Sequence, residues 1–247
     1  MQFESVVIRV FDVDFILFDL LFTSVWIIVL YKKGYIKPLL FGLMGIVINL
    51  IVDYGIWYSI MGIRTIDGLP SWMSPFAFFA YFSITYGMMQ YSYVQVMFTN
   101  KPDQPEEEKR DRIQMATLFF GGWLLIAYLS VLAPIYDIEM TVTRTMTNQR
   151  IIEIIVVIVE YAILGILAYK KKYGLNLSTI GYIFLVGFFV HFSMEFTLFL
   201  PGIRQSGLFD LVFNSIVEFN MGTPILYLML NALIPYLEER KTTSIVS

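Results

Sequence analysis

Apolar runs of twenty residues or more, broken by short polar joints, fill most of the chain. A bilayer core is crossed by about 20 apolar residues in helix. On that scale seven segments read as transmembrane helices: 10–31, 38–61, 73–99, 113–134, 151–169, 177–200 and 208–235. Turn formers mark the joints, at Lys32-Lys33-Gly34, Gly68-Leu69-Pro70, Lys172-Tyr173-Gly174 and Pro201-Gly202. The one substantial charged stretch, 100–112, carries Pro102, Pro105 and Glu106-Glu107-Glu108 and reads as a solvated loop. The opening residues hold Glu4, Asp12 and Asp14 instead of a basic stretch, so the first apolar segment reads as a span and not as a cleavable leader. The pattern predicts an all-α fold: one domain over 1–247, a bundle of seven transmembrane helices without internal repeat.

Composition agrees. The 247 residues are 57% hydrophobic and only 15% charged, against roughly 45–50% and 25% in soluble domains, so a non-aqueous solvent is required. Zero cysteines exclude disulfides, thiolate metal sites and cysteine nucleophiles, and a single histidine excludes a His-rich zinc centre. No basic face interleaved with aromatics is present, which excludes nucleic acid as a partner.

The joints also orient the chain. Seven spans put the termini on opposite sides, and the Lys/Arg bias sets the direction. One side holds Lys32, Lys33, Lys37, Lys101, Lys109, Arg110, Arg112, Lys170, Lys171, Lys172, Arg240 and Lys241, twelve in all, and the other holds Arg9, Arg64, Arg144, Arg150 and Arg204, five. The N-terminus is therefore expected outside, with the C-terminus and the 100–112 loop in the cytoplasm. The membrane would be the plasma membrane of a prokaryote or the endoplasmic reticulum of a fungus.

Carboxylates inside spans are expensive and usually functional. Five stand out: Asp19, Asp53, Glu160, Glu195 and Glu218, with His191 one helical turn before Glu195. No Lys or Arg lies inside a span to neutralise them. From the helix rise, Asp53 lies about 12 Å, Glu218 about 15 Å and Glu195 about 8 Å below the outer ends of their spans. Asp19 falls at a comparable depth and Glu160 nearer the middle, while Trp57, Tyr54, Tyr81 and Tyr86 share the outer level. A common polar chamber in the outer half of the bilayer is the economical reading. Burial without cations would keep several acids protonated and able to donate a proton; the alternative is that each simply hydrogen-bonds a neighbouring helix. His191 and Glu195 could begin a metal site, but a lone histidine beside acids is more often a hydrogen-bonded partner, and no metal or other cofactor is expected. Pro224, after Gly222 and Thr223, predicts a kink under Glu218.

Two short motifs carry a resemblance. Asn49-Leu50-Ile51-Val52-Asp53 in the second span and Glu218-Phe219-Asn220-Met221-Gly222 in the last resemble those of the small seven-span integral-membrane terpene cyclases of fungal meroterpenoid and indole-diterpene pathways and their bacterial relatives. That family carries Asn-x3-Glu, usually with Trp before the Glu, and Asp-x3-Gly. Here both acids are replaced by their homologue, and Val52 stands where the Trp is expected. The resemblance implies metal-independent cyclisation of an isoprenoid or similarly lipid-like substrate, with Asp53 and Glu218 as the protonating machinery. Asn49, Trp57, Tyr81, Tyr86, His191, Glu195, Asp19, Glu160 and Asn220 are the expected pocket lining from the depths and motifs above. The same carboxylates would also suit a proton-coupled transporter or channel. A retinal protein is excluded, because no span carries a Lys for the Schiff base, and the usual receptor signatures are missing.

Overall fold

A computed structural model describes residues 5–101, 103–136, 138–146 and 149–246, with 5, 149 and 241–246 as backbone only. Glu4 and Pro102, used above, lie outside the described residues, as does the side chain of Lys241. The described residues are mostly helical, in eight helices. We number them α1 (Val13–Lys32), α2 (Ile36–Ile60), α3 (75–98), α4 (Pro105–Leu132), α5 (Gln149–Tyr169), α6 (Leu177–Phe199), α7 (Leu208–Val217) and α8 (223–246). Five of the described helices are long and apolar enough to cross a membrane: α1, α2, α4, α5 and α6. Their outward surfaces carry Leu17, Leu21, Ile28, Leu43, Ile155, Ile158 and Ile166, an apolar surface of the kind that marks contact with lipid.

The all-α expectation misses one element. Four strands, β1 (Ser5–Asp12), β2 (Arg64–Asp67), β3 (Glu139–Met146) and β4 (Arg204–Gln205), pair antiparallel in the order β2-β3-β1-β4. They are the segments before α1 and after α2, α4 and α6, so the chain returns to this sheet after every second helix. β3, Glu-Met-Thr-Val-Thr-Arg-Thr-Met, alternates strictly: Met140, Val142, Arg144 and Met146 point inward and are buried, and the threonines face out. β1 does the same with Val7, Arg9 and Phe11.

α3 is the central helix, buried nearly throughout from Tyr86 to Phe98. It meets α2 backbone to backbone. A Cβ on Gly45 would stand 2.5 Å from the Gly87 carbonyl oxygen, and one on Gly87 would stand 2.6 Å from that of Gly45. Small residues let helices approach this closely where lipid supplies no hydrophobic drive between them. Three stretches widen into π-helix: Leu50–Ile60, Ser83–Gly87 and Met229–Leu233. The segment 208–235, expected as one kinked span, is broken: α7 ends at Val217, Gly222 adopts φ +118°, and Pro224 opens the first turn of α8. A positive φ of this kind suits glycine.

At the end remote from the sheet, Asp111 ties the joints together, accepting from Lys33 Nζ (2.7 Å), the Tyr35 hydroxyl (2.8 Å) and Lys101 Nζ (3.0 Å). Gly87→Val is expected to lower the stability of purified protein by about 3 kcal/mol through overpacking against Gly45, read as a lower thermal midpoint, whereas the same change at Gly121, which faces open space, leaves it nearly unchanged.

Candidate functional site: an arginine-capped cavity

Each strand of the sheet contributes one buried arginine to the face that meets the helices: Arg64 from β2, Arg144 from β3, Arg9 from β1 and Arg204 from β4. Register sets them in two adjoining rows. Arg64 lies opposite Arg144, and Arg144 opposite Val7; one pair further, Val142 lies opposite Arg9, and Arg9 opposite Arg204. Like charges directly opposite one another destabilise a sheet unless something compensates them.

The compensation comes from the helices. Glu218, just past the end of α7, accepts from both guanidinium nitrogens of Arg144, one of them Nη1 at 3.0 Å, from Arg150 Nη2 at 2.8 Å, and is held by His191 Nε2 at 2.8 Å. Arg150, opening α5, also bonds Glu153 (2.7 Å) and Asn214 Oδ1 (2.8 Å). Glu195 of α6, fully buried, is gripped by Arg9 and Arg204 together. Asp53, on the π-helical part of α2, meets Arg64 Nη1 through Oδ1 at 3.1 Å. The Trp57 ring lies between two cations, with Arg64 at 5.1 Å and Arg144 at 5.3 Å from its centroid.

This corrects the expectation of unneutralised acids. The five cations counted on the outer side are not solvated loop charges: Arg9, Arg64, Arg144, Arg150 and Arg204 are all buried, and they reach Asp53, Glu195 and Glu218 from outside the spans. At those three acids the premise of burial without cations does not hold. Among the described residues neither Asp19 nor Glu160 has an ion pair. Asp19 accepts from the Tyr81 hydroxyl at 2.9 Å, and Glu160 accepts the backbone N–H of Gly222 at 2.9 Å, where α8 begins.

Beneath the sheet lies a cavity of about 410 Å³. Asp53 and Glu218 both line it, with Arg9, Arg64, Arg144, His191, Asn49, Trp57, Tyr86 and Glu160. The remaining wall is largely apolar and includes Met44, Ile48, Val52, Phe82, Met194, Phe219, Ile225, Leu226 and Met229. The other expected lining residues stand apart. Tyr81 and Asp19 form their own buried pair, and Glu195 is sealed behind Arg9 and Arg204. Asn220 accepts from the Tyr161 hydroxyl at 2.6 Å and packs on Gly187. Tyr54 stacks on Tyr58, 5.7 Å between centroids. His191 bridges Glu218 and Ser215 and is 3.9 Å from Glu195, and among the described residues no three acidic or imidazole groups are placed to hold a metal ion.

Burial acts on the strand arginines. Desolvation brings Arg64 down to about 10 although Asp53 opposes it, and Arg204 to about 9 with neighbouring Arg9 adding to the effect. Arg144 is desolvated too, but Glu218 more than offsets this and raises it. The site can thus hold carboxylates in a dry setting because Asp53, Glu195 and Glu218 each meet at least one buried guanidinium.

Two signals for these arginines stand in the sequence. All five outer-side cations are Arg, whereas nine of the twelve others are Lys, and Arg is the residue suited to buried pairing. Residues 139–146 also alternate β-branched and apolar side chains as a strand does.

Comparison of the chain with protein-family models, curated proteins and solved structures found no match.

Removing an acid that neutralises buried cations should cost far more than removing one that does not. Glu195→Gln, which strands Arg9 and Arg204, is expected to lose about 3–5 kcal/mol, and Glu160→Gln about 1 kcal/mol, compared by thermal unfolding in detergent.

Proposed function

We propose that the chain is an integral membrane protein that crosses the bilayer seven times and binds an isoprenoid or similarly lipid-like amphiphile in the arginine-capped cavity, where protonation starts its cyclisation. Support for the crossings comes from connectivity. β1 precedes α1, and β2, β3 and β4 follow α2, α4 and α6, so every pair of helices leaves the sheet end and returns to it. α7 and α8 together make the last crossing, with the N-terminus outside and the C-terminus in the cytoplasm. The Lys-rich joints fall at the other end, and the sheet-end cations are consumed in buried pairs, which sharpens the charge asymmetry.

One observation carries the chemistry: of the three carboxyl groups lining the cavity, Glu160 alone has no ion pair among the described residues. In α5 it sits seven residues beyond Glu153, the partner of Arg150, which is about 10 Å deeper along the helix. That rise separates it from Arg150 and brings it to the Gly222 N–H where α8 begins, in a cavity it shares with Met221, Ile225 and Phe219 of the apolar wall. Glu160 is thus the acid of the reaction, and Asp53 and Glu218, the pair singled out by the resemblance, organise the polar end. The Glu160 carboxyl gives its proton to a terminal alkene or epoxide, internal double bonds close onto the resulting carbocation, and loss of a proton ends the cascade. Trp57, Tyr86 and Tyr91 offer π-faces, and the apolar wall keeps water from quenching the cation.

Purified protein given polyprenols and epoxidised prenyl aromatics is expected to yield cyclised products by mass spectrometry, with Glu160→Gln still folded but at least about 100-fold slower. Full activity in that variant, or no reaction with any isoprenoid, would overturn the cyclase reading; solute-dependent proton flux in proteoliposomes without product would favour transport. Because the chain has no cysteine, single substitutions Thr65→Cys and Lys172→Cys report orientation cleanly. A membrane-impermeant maleimide is expected to label the first only from outside and the second only from the cytoplasmic side.

A further inference from the structure

The reading of the cavity as a site for an amphiphile leaves the chemistry of the amphiphile's polar end open, and the inference drawn here rests on that reading. Arg9, Arg64 and Arg144 line the cavity, each at most 4% exposed. The Nε–H of each is buried and has no hydrogen-bond partner among the described residues. Arg64 has one polar partner there, Asp53, through a single contact at 3.1 Å, although a guanidinium carries five N–H donors. Arg9 and Arg204 share one carboxylate, Glu195. The four strand arginines therefore face three paired carboxylates, Asp53, Glu195 and Glu218, while Arg150 has Glu153 of its own. Several fixed N–H donors of Arg9, Arg64 and Arg144 are left over at the sheet end of a largely apolar cavity.

A buried guanidinium is costly unless its charge and its donors are both met. Its planar fork matches a carboxylate or phosphate oxygen pair. Away from the arginines the wall is Ile48, Val52, Phe219, Ile225 and Met229, with no basic side chain.

We propose that the cavity takes an anionic amphiphile, with a carboxylate or phosphate head seated among Arg9, Arg64 and Arg144 and its hydrocarbon chain along the wall formed by α2 and α8. A head anchored at the sheet end leaves the double bonds of such a chain extended toward Glu160.

The test is equilibrium binding to the full-length protein in lipid nanodiscs, with geranylgeranyl monophosphate, geranylgeraniol and palmitate at matched mole fractions and with inorganic phosphate as competitor. The phosphate ester is expected to bind at least 10-fold tighter than the alcohol of the same chain, palmitate is expected to compete with it, and millimolar inorganic phosphate is not. Arg64→Gln should bring the ester-to-alcohol ratio below about 3; should that variant fail to fold, Arg64→Lys, which keeps the charge and loses the fork, is expected to reduce the ratio several-fold. Equal binding of ester and alcohol to the unsubstituted protein would overturn the anionic head and leave the amphiphile reading standing. Displacement of the ester by inorganic phosphate at equal concentration would make this a site for a free anion and overturn the proposal. If none of the three chain-bearing ligands binds, the amphiphile reading falls and this inference with it.

Discussion

Guanidinium–carboxylate pairing between a small sheet and the helix bundle is the constraint on which the rest of the structure depends. Four strands each deliver an arginine to one face, and those arginines meet Asp53 and Glu195 from two helices and Glu218 just past the end of a third. Neither set could be buried alone. Arginines opposite one another across neighbouring strands repel, and carboxylates in an apolar bundle lose their hydration. Together they fix where the sheet sits on the bundle and hold open a cavity whose polar end is built of charges that cannot drift. The π-helical turn that carries Asp53 and Trp57, and the break before Gly222, both border this cavity, as irregular helix often does at functional sites.

Much of the helical framework was legible, because about twenty apolar residues in a row leave few alternatives. The expected segment 177–200 is the helix Leu177–Phe199, and 151–169 falls within Gln149–Tyr169. Depth placed Asp53 and Glu218 at one level and Glu160 nearer the middle, and all three line one cavity. What depth could not supply was sideways direction: Asp19, Tyr81 and Glu195 share the level but turn into separate pairs. The sheet was hidden for a different reason. Its strands are four to eight residues long or shorter, they stand where joints were expected, and β1 pairs with β3 across four intervening helices. No local pattern encodes such a pairing, so the arginines it carries read as loop charges. Their identity, Arg in the joints that form the sheet and mostly Lys in the others, held the information that their positions did not.

The same pairing redistributes the chemistry. Acids paired with arginine stand at the polar end, and in the proposed function Glu160, which has no ion pair among the described residues, is the acid that exchanges a proton with a bound molecule. A site divided in this way, with fixed charge at the sheet and a lone carboxyl in the apolar part, suits a substrate that is itself divided into a polar head and a hydrocarbon chain. The proposed function accounts for the placing of the acids without asking one carboxylate to be a structural anchor and a proton donor at once.

The most direct measurement of the central claim is a double-mutant cycle on Arg144 and Glu218 by reversible unfolding in detergent, using Arg144→Gln, Glu218→Gln and the double variant. If the sheet and the bundle are joined by this pair, each single change strands a buried charge and the double change relieves it, giving a coupling of about 2 kcal/mol or more. Additive losses, with a coupling within about 0.5 kcal/mol of zero, would contradict the account.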